Sequence, residues 1–379
     1  MSSSSLPLRV AIVADWLTVF GGAESVLISM RNLFPNAPLF TTVSLPEMVE
    51  RFGNIHATSL NRFPQFVRKR HPFLLPFLPK AIESINLREF DLVISSSTFV
   101  AKGVLTNPNQ LHICYCHAPA RYFWGDWQEY VNHFPLPKIL KPLLPRFFTK
   151  YRQWDCLAAN RPDVYLANSH FIAESIQKYY RKSAEVLSPP VDTMRFREGQ
   201  SEAKEDFYLG FGRIVPQKRF DILISAFQEM PHRRLVLAGD GRSLLDLQKK
   251  AKGAKNIEFL GRVPDADVPK LLGRARALLF PQLEDAGISS LEALSAGTPV
   301  IAYGKGGVLS TLKDGETGVF FEKQTPESLI DAISHFEKQE SLFSRKALLS
   351  HTEQFSCEIF EEKLRMFLTK EWKKFSSSL

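Results

Sequence analysis

The chain has 379 residues, 44% of them hydrophobic and 23% charged, with a formal net charge of +8. That is enough apolar material for two ordinary domains with separate cores, and no run reaches the roughly 18 unbroken apolar residues that a membrane-spanning helix needs. Four scattered cysteines, Cys114, Cys116, Cys156 and Cys357, offer no C-x-x-C pair. They exclude a zinc ribbon or a disulfide framework and suit a reducing, cytoplasmic setting.

The opening MSSSSLPLRVAIVADWL lacks a basic segment, and Asp15 interrupts its apolar run, so it reads as a polar tail and a first strand, Leu8 to Ala14, not as a signal peptide. Gly21-Gly22-Ala23-Glu24 follows, then an amphipathic helix carrying Val26, Leu27, Met30 and Leu33. A glycine pair between strand and helix lets a ligand come close to the backbone, with a plain turn as the competing reading. It is not a dinucleotide fingerprint, since G-x-G-x-x-G is absent.

The first half carries most of the charge: through Glu185 there are 20 Lys and Arg against 13 Asp and Glu. Two segments concentrate it, 62–80 (RFPQFVRKRHPFLLPFLPK) and 134–154 (FPLPKILKPLLPRFFTKYRQW), both rich in aromatics and free of acids. Such a mixture suits an anionic membrane surface, at about 1 kcal/mol per near-surface Lys or Arg. The alternative is solvated helix faces whose aromatics belong to the core. No nucleic-acid motif accompanies the charge, so nucleic acid is not expected as a partner.

Further strands are expected at Leu39 to Val43, Asp91 to Ser95 and Leu111 to Tyr115, the last delivering His117 at its end. After it comes an aromatic loop, Arg121-Tyr122-Phe123-Trp124-Gly125-Asp126-Trp127, whose ring faces could pack on a sugar. A strand over Pro162 to Asn168 and a helix to about Arg181 lead to Ser188-Pro189-Pro190-Val191-Asp192, read as an extended linker. The domain boundary falls there.

Strand and helix then alternate regularly. Strands are expected at Phe207 to Gly212, Arg234 to Ala238, Ile257 to Leu260, Ala277 to Phe280, Val300 to Ala302 and Val319 to Phe321, with helices near 217–229, 243–252, 265–274, 287–297, 306–312 and 326–338. This is the pattern of an α/β doubly wound parallel sheet, which binds ligands at its carboxyl edge. Arg213 and Lys218, after the first of these strands, place two cations beside a helix start and suit a diphosphate. Gly239-Asp240-Gly241 resembles a dinucleotide motif only superficially, because Leu244 occupies the third glycine position. Asp265-Ala266-Asp267 is read as a helix cap, not as a metal-binding pair.

The most informative stretch is Ala277 to Ala302, ALLFPQLEDAGISSLEALSAGTPVIA. A buried strand ends at Pro281, a loop holds Glu284, Asp285, Ala286 and Gly287, and a helix follows with Ile288, Leu291 and Leu294 at helical spacing until Gly297-Thr298-Pro299. Glu284 before the helix and Glu292 one turn inside it can face one bound molecule. Carboxylates beside a phosphate site are repelled unless each accepts hydroxyl hydrogen bonds, which points to a polyhydroxylated ligand carrying a diphosphate. A nucleotide sugar meets both demands.

Glu284 and Glu292, with the flanking strands and Gly297-Thr298-Pro299, resemble the Glu-x7-Glu signature of the retaining, GT-B-fold glycosyltransferases of family 4 (group 1). Within that family the chain is similar to the bacterial GDP-mannose-dependent mannosyltransferases of O-antigen and exopolysaccharide synthesis. The resemblance implies two Rossmann-like domains facing across a cleft, 1–188 for the acceptor and 189–354 for the nucleotide sugar, with a helix over 355–379 crossing back to the first. It implies a catalytic Glu284 and a His117 contacting the donor sugar. Arg213, Lys218, Gly21 and Gly22 would lie at the diphosphate, and Asp285, Ala286, Gly287 and Ile288 at the sugar. Glu292, Arg262, Val263 and Gly239 would hold the nucleoside, and Glu24, Arg121 and Trp124 would approach the acceptor.

No cofactor and no metal are implied. The donor would be GDP-mannose and the acceptor lipid-linked or an oligosaccharide, with the enzyme cytoplasmic and peripheral on the inner face of the plasma membrane. Many relatives have an aromatic where Ala286 stands and a proline within Ser289-Ser290; small residues there would widen the sugar pocket. A UDP-sugar donor, or a nucleotide-sugar epimerase of the same build, is the alternative.

Overall fold

The structure is a computed structural model that describes residues 9–125, 144–198 and 203–378. Asp126, Trp127 and the stretch 134–143, all named above, lie outside the described residues, as do Leu8 and the polar tail. The chain forms two compact units, Met1–Leu187 with Glu361–Leu379, and Ser188–Phe360.

The first unit holds seven parallel strands: β1 (Val10–Ala14), β2 (Leu39–Thr41), β3 (Ile55–Ala57), β4 (Leu92–Ser97), β5 (Leu111–Cys116), β6 (Val164–Ala167) and β7 (Ala184–Val186). They are ordered β3-β2-β1-β4-β5-β6-β7. β1, β4 and β5 are buried along their whole length, as central strands of a sheet covered on both faces must be. The edge strands β3 and β7 escape the sequence reading because each is three residues long and only half-buried.

Beneath one face of this sheet lies a buried polar cluster. Lys102 and Asp155 form an ion pair of 2.6 Å with almost no exposure. Asp155 also accepts from Trp124 Nε1 and Tyr180 Oη, each at 2.7 Å, and Lys102 Nζ donates to the Phe99 carbonyl at 2.5 Å. Burial works against the Lys102 charge, but Asp155 raises its pKa on balance.

The second unit holds β8 (Tyr208–Phe211), β9 (Leu235–Ala238), β10 (Ile257–Gly261), β11 (Ala277–Phe280), β12 (Val300–Tyr303) and β13 (Gly318–Phe321), all parallel, in the order β10-β9-β8-β11-β12-β13. Alternating side chains feed two cores. Leu278 and Phe280 pack with Leu209, Leu291 and Leu294 on one face, while Ala277 and Leu279 pack with Tyr208, Leu223 and Phe227 on the other. Each fully buried Leu or Phe contributes about 1.5–3 kcal/mol, so both faces anchor the loops at the strand ends.

Three local expectations need correction. The helix read over 217–229 is split: Pro216–Lys218 is a 3₁₀ turn, Arg219 takes a left-handed conformation (φ 53°), and the α-helix runs Phe220–Glu229. The segment read as an extended linker through Asp192 leads straight into a helix, Thr193–Arg197, whose Asp192 side chain accepts from the Arg195 N–H at 3.0 Å. Asp267 does sit at the N-cap of the helix Val268–Arg274, yet its side chain makes no capping hydrogen bond. The helix dipole alone then accounts for an acid there.

The final helix, Cys357–Ser376, buries Phe360, Leu364, Phe367 and Leu368. From Glu361 onward it belongs to the first unit, where Asn32 donates to Glu361 (2.8 Å) and Lys370 pairs with Glu185 (2.9 Å). Among the described residues no helix is long and apolar enough to cross a membrane.

Candidate functional site

In a doubly wound sheet, helices leave neighbouring strands toward opposite faces at the point where strand order reverses, and the loops part to leave a crevice at the carboxyl ends. In the second unit that point lies between β8 and β11. The loop after β8 carries Arg213 and Lys218; the loop after β11 carries Glu284 to Gly287. The two loops meet there through an ion pair between Lys218 Nζ and Glu284 Oε1, with 17% and 26% of the two side chains exposed. Arg213 is exposed, and its guanidinium makes no hydrogen bond or ion pair with another described residue.

Behind this pair, Gly287 takes a left-handed conformation (φ 68°) as N-cap of the helix Ile288–Ser295, and its side-chain-free position leaves the helix start without a cap. N–H groups at such a terminus favour an anion. Glu292 lies in the second turn, partly buried, and its carboxylate makes no hydrogen bond with a described residue. Burial pushes its carboxyl up to about 7; Arg195 and Lys218 restrain the rise, while Asp265 and Glu284 add to it. A desolvated carboxylate of this kind gains most from hydroxyl donors. Ile288 and Val263 are partly buried, their side chains packed on the core, and Arg262 is exposed.

Gly239 has a structural reason of its own. With φ at 146°, a Cβ here would overlap the carbonyl oxygen of Gly212, so the loops after β8 and β9 can lie against each other only with glycine at 239.

The first unit has its own switch point, between β1 and β4. Asp15, at the end of β1, accepts from the N–H groups of Thr98 (2.6 Å), Phe99 (2.9 Å) and Ala101 (2.6 Å) and from Ser97 Oγ (3.3 Å). Gly21 and Gly22 open the helix Gly22–Leu33, with Glu24 in its first turn. Burial pushes the Glu24 carboxyl up to about 7.

His117 stands at the end of β5 with Nε2 2.7 Å from Ser96 Oγ. Burial lowers its pKa to about 4, so the imidazole is neutral at pH 7 and can exchange hydrogen bonds with sugar hydroxyls. Arg121 and Trp124 form a single helical turn, Arg121–Trp124. Trp124 is tied down, its indole N–H to Asp155 and its ring stacked on Tyr179 at 5.0 Å.

Three features of these sites were not legible in the sequence. Arg195, the cation that most eases Glu292, lies just past the expected linker, where Asp192 three residues earlier is a capping signal. Gly307, after β12, donates its N–H to the Glu284 carbonyl at 2.7 Å and so ties down the loop after β11. Its signal was the Gly-Lys-Gly-Gly run at 304–307. Asp15 had one too: a carboxylate closing an apolar strand.

Segment 62–80 divides its apolar side chains between core and surface. Leu74, Leu75 and Leu78 take the core, whereas Phe63, Phe66, Phe73 and Phe77 are exposed, Phe66 by 71%. Arg62, Lys69, Arg70 and Lys80 are exposed beside them. Arg68 instead turns inward to Asn61 Oδ1 (2.9 Å) and the Ser44 carbonyl.

Two family models match the chain, Glycosyltransferase Family 4 over residues 20–195 and Glycosyl transferases group 1 over residues 192–351. The chain belongs to glycosyltransferase family 4. Among relatives of this family-4 chain, an uncharacterized glycosyltransferase of Methanocaldococcus jannaschii is 28% identical over 235 residues, 61% of this chain and 63% of that one. A GDP-mannose-dependent alpha-(1-6)-phosphatidylinositol monomannoside mannosyltransferase of Mycobacterium tuberculosis is 31% identical over 177 residues, 40% and 46%. The chain thus matches less than two thirds of the length of these curated relatives. Among solved structures, HepE of Anabaena in complex with UDP superposes with a TM-score of 0.70 at 16% identity, covering 96% of this chain and 100% of that one. Sucrose-phosphate synthase of Thermosynechococcus elongatus gives 0.73 at 15%, covering 96% and 99%. These likenesses establish the GT-B fold for this family-4 chain.

Proposed function

We propose that this chain is a retaining glycosyltransferase that moves a hexose, mannose from GDP-mannose, to a lipid-linked or glycan acceptor in cell-surface polysaccharide synthesis. The observation that carries the reading is the meeting of Lys218 and Glu284 at a switch point, beside an uncapped helix start whose second turn holds Glu292. Cations, free N–H groups and carboxylates side by side fit a molecule that is anionic at one end and hydroxylated at both flanks. Relatives whose names specify GDP-mannose support the donor.

In this reading Arg213, Lys218 and the N–H groups after Gly287 stabilise charge on the departing diphosphate, so no divalent ion is required. Glu284 holds sugar hydroxyls near the reacting carbon and Glu292 the ribose hydroxyls. His117, as a neutral imidazole, hydrogen-bonds the sugar. No side chain is assigned as covalent nucleophile; the acceptor attacks from the face the diphosphate leaves. The exposed phenylalanines and bases of 62–80 rest on an anionic bilayer, which keeps the enzyme peripheral on the membrane's inner face and near a lipid-linked acceptor.

The test is a panel of nucleotide sugars assayed for binding and for slow hydrolysis without acceptor. GDP-mannose is expected to lead. If it does no better than UDP-glucose or UDP-N-acetylglucosamine, the mannose assignment falls; if no nucleotide sugar binds, transferase activity falls with it.

A further inference from the structure

We infer that Lys218 and Glu284 form an exchange device that makes the site favour a nucleoside diphosphate bearing a sugar over the bare nucleoside diphosphate, and so hastens product release. The inference rests on the transferase reading and goes one step further, assigning to the contact between the two residues a role that neither has alone.

Lys218 reaches the loop after β11, and Glu284 is its partner there. A diphosphate that takes the Lys218 ammonium must draw it from Glu284. With a sugar attached, hydroxyl donors replace the lost ammonium at the Glu284 carboxylate, and both charges remain satisfied. Without the sugar, Glu284 is left as a part-buried carboxylate beside an incoming anion, with the carboxyl of Glu292 one turn into the next helix.

The arrangement holds Glu284 against escape. Its carbonyl accepts from Gly307 N–H at 2.7 Å and its backbone bridges to Gly306, so the loop backbone stays in place when Lys218 leaves. The penalty therefore falls on the bare diphosphate. After transfer the sugar departs, the balance reverts, and Lys218 returns to Glu284 as the nucleotide is expelled.

The experiment is calorimetric titration of GDP and GDP-mannose, with UDP and UDP-glucose as a second pair, into wild type, Glu284→Gln, Lys218→Met and the double variant. Far-UV circular dichroism verifies that each is folded. Wild type should bind its preferred sugar nucleotide about tenfold or more tighter than the matching diphosphate. Glu284→Gln should tighten diphosphate binding by about tenfold and abolish the preference. In the Lys218→Met background the same Glu284 change should leave diphosphate affinity within about twofold, because no ammonium remains to be released.

An unchanged diphosphate affinity in Glu284→Gln overturns the inference, as does an equal gain in both backgrounds, which would signify simple charge repulsion. In either case a wild-type preference for sugar nucleotides leaves the transferase reading standing. If wild type binds no sugar nucleotide, that reading and the inference fall together.

Discussion

Replacing Glu292 by Gln should stabilise the second unit while weakening donor binding, and the stabilisation should depend on pH. Burial holds the Glu292 carboxyl at about 7 against an ordinary value of 4.5. At about 1.36 kcal/mol per unit, ionising this group in the fold costs about 3 kcal/mol relative to the unfolded chain. The folded chain binds the Glu292 proton more tightly, so its contribution to stability is fully present below pH 4.5 and is lost as pH rises through 7. Gln carries no such dependence. The variant should therefore gain on wild type by about 2 kcal/mol between pH 5.5 and pH 8.

Urea unfolding at the two pH values measures this difference. Far-UV circular dichroism, which follows the helices and strands of the second unit, is the readout. A difference between variant and wild type that is the same at both pH values would refute the desolvation argument.

Other outcomes follow from separate parts of the structure. Lys102→Met strands the buried Asp155 and should destabilise the first unit by about 3–5 kcal/mol in urea unfolding followed by fluorescence; a loss below about 1 kcal/mol would contradict the pairing. Gly239→Ala puts a methyl group onto the Gly212 carbonyl, and should lower stability by about 3 kcal/mol or more in circular dichroism melts and reduce donor affinity, since the loop after β8 must shift. Phe66→Ser with Phe77→Ser should weaken cosedimentation with phosphatidylglycerol vesicles by tenfold or more, with stability unchanged within about 0.5 kcal/mol because both rings are exposed. Vesicle binding equal to wild type would remove the membrane assignment.

What the sequence determined by itself was local and periodic. Uninterrupted apolar runs such as Ala277–Phe280 and Leu111–Cys116 have no stable place except a strand covered on both faces, and the regular helices between them leave parallel crossovers as the arrangement. The Glu284–Glu292 spacing likewise survives in any fold that sets a helix after that strand. Short edge strands such as β3 and β7 carried no such signal, because three half-buried residues look like any loop.

Only tertiary structure decided which charges meet. Lys218 and Glu284 are 66 residues apart, and nothing along the chain says that one is the other's partner until strand order places β8 beside β11. The same holds for Lys102 and Asp155, where burial decides the energy of each charge. It holds also for the phenylalanines of 62–80, whose composition allowed core or surface until Leu74, Leu75 and Leu78 filled the core. Periodicity is a property of neighbours in sequence, whereas desolvation and pairing are properties of neighbours in space.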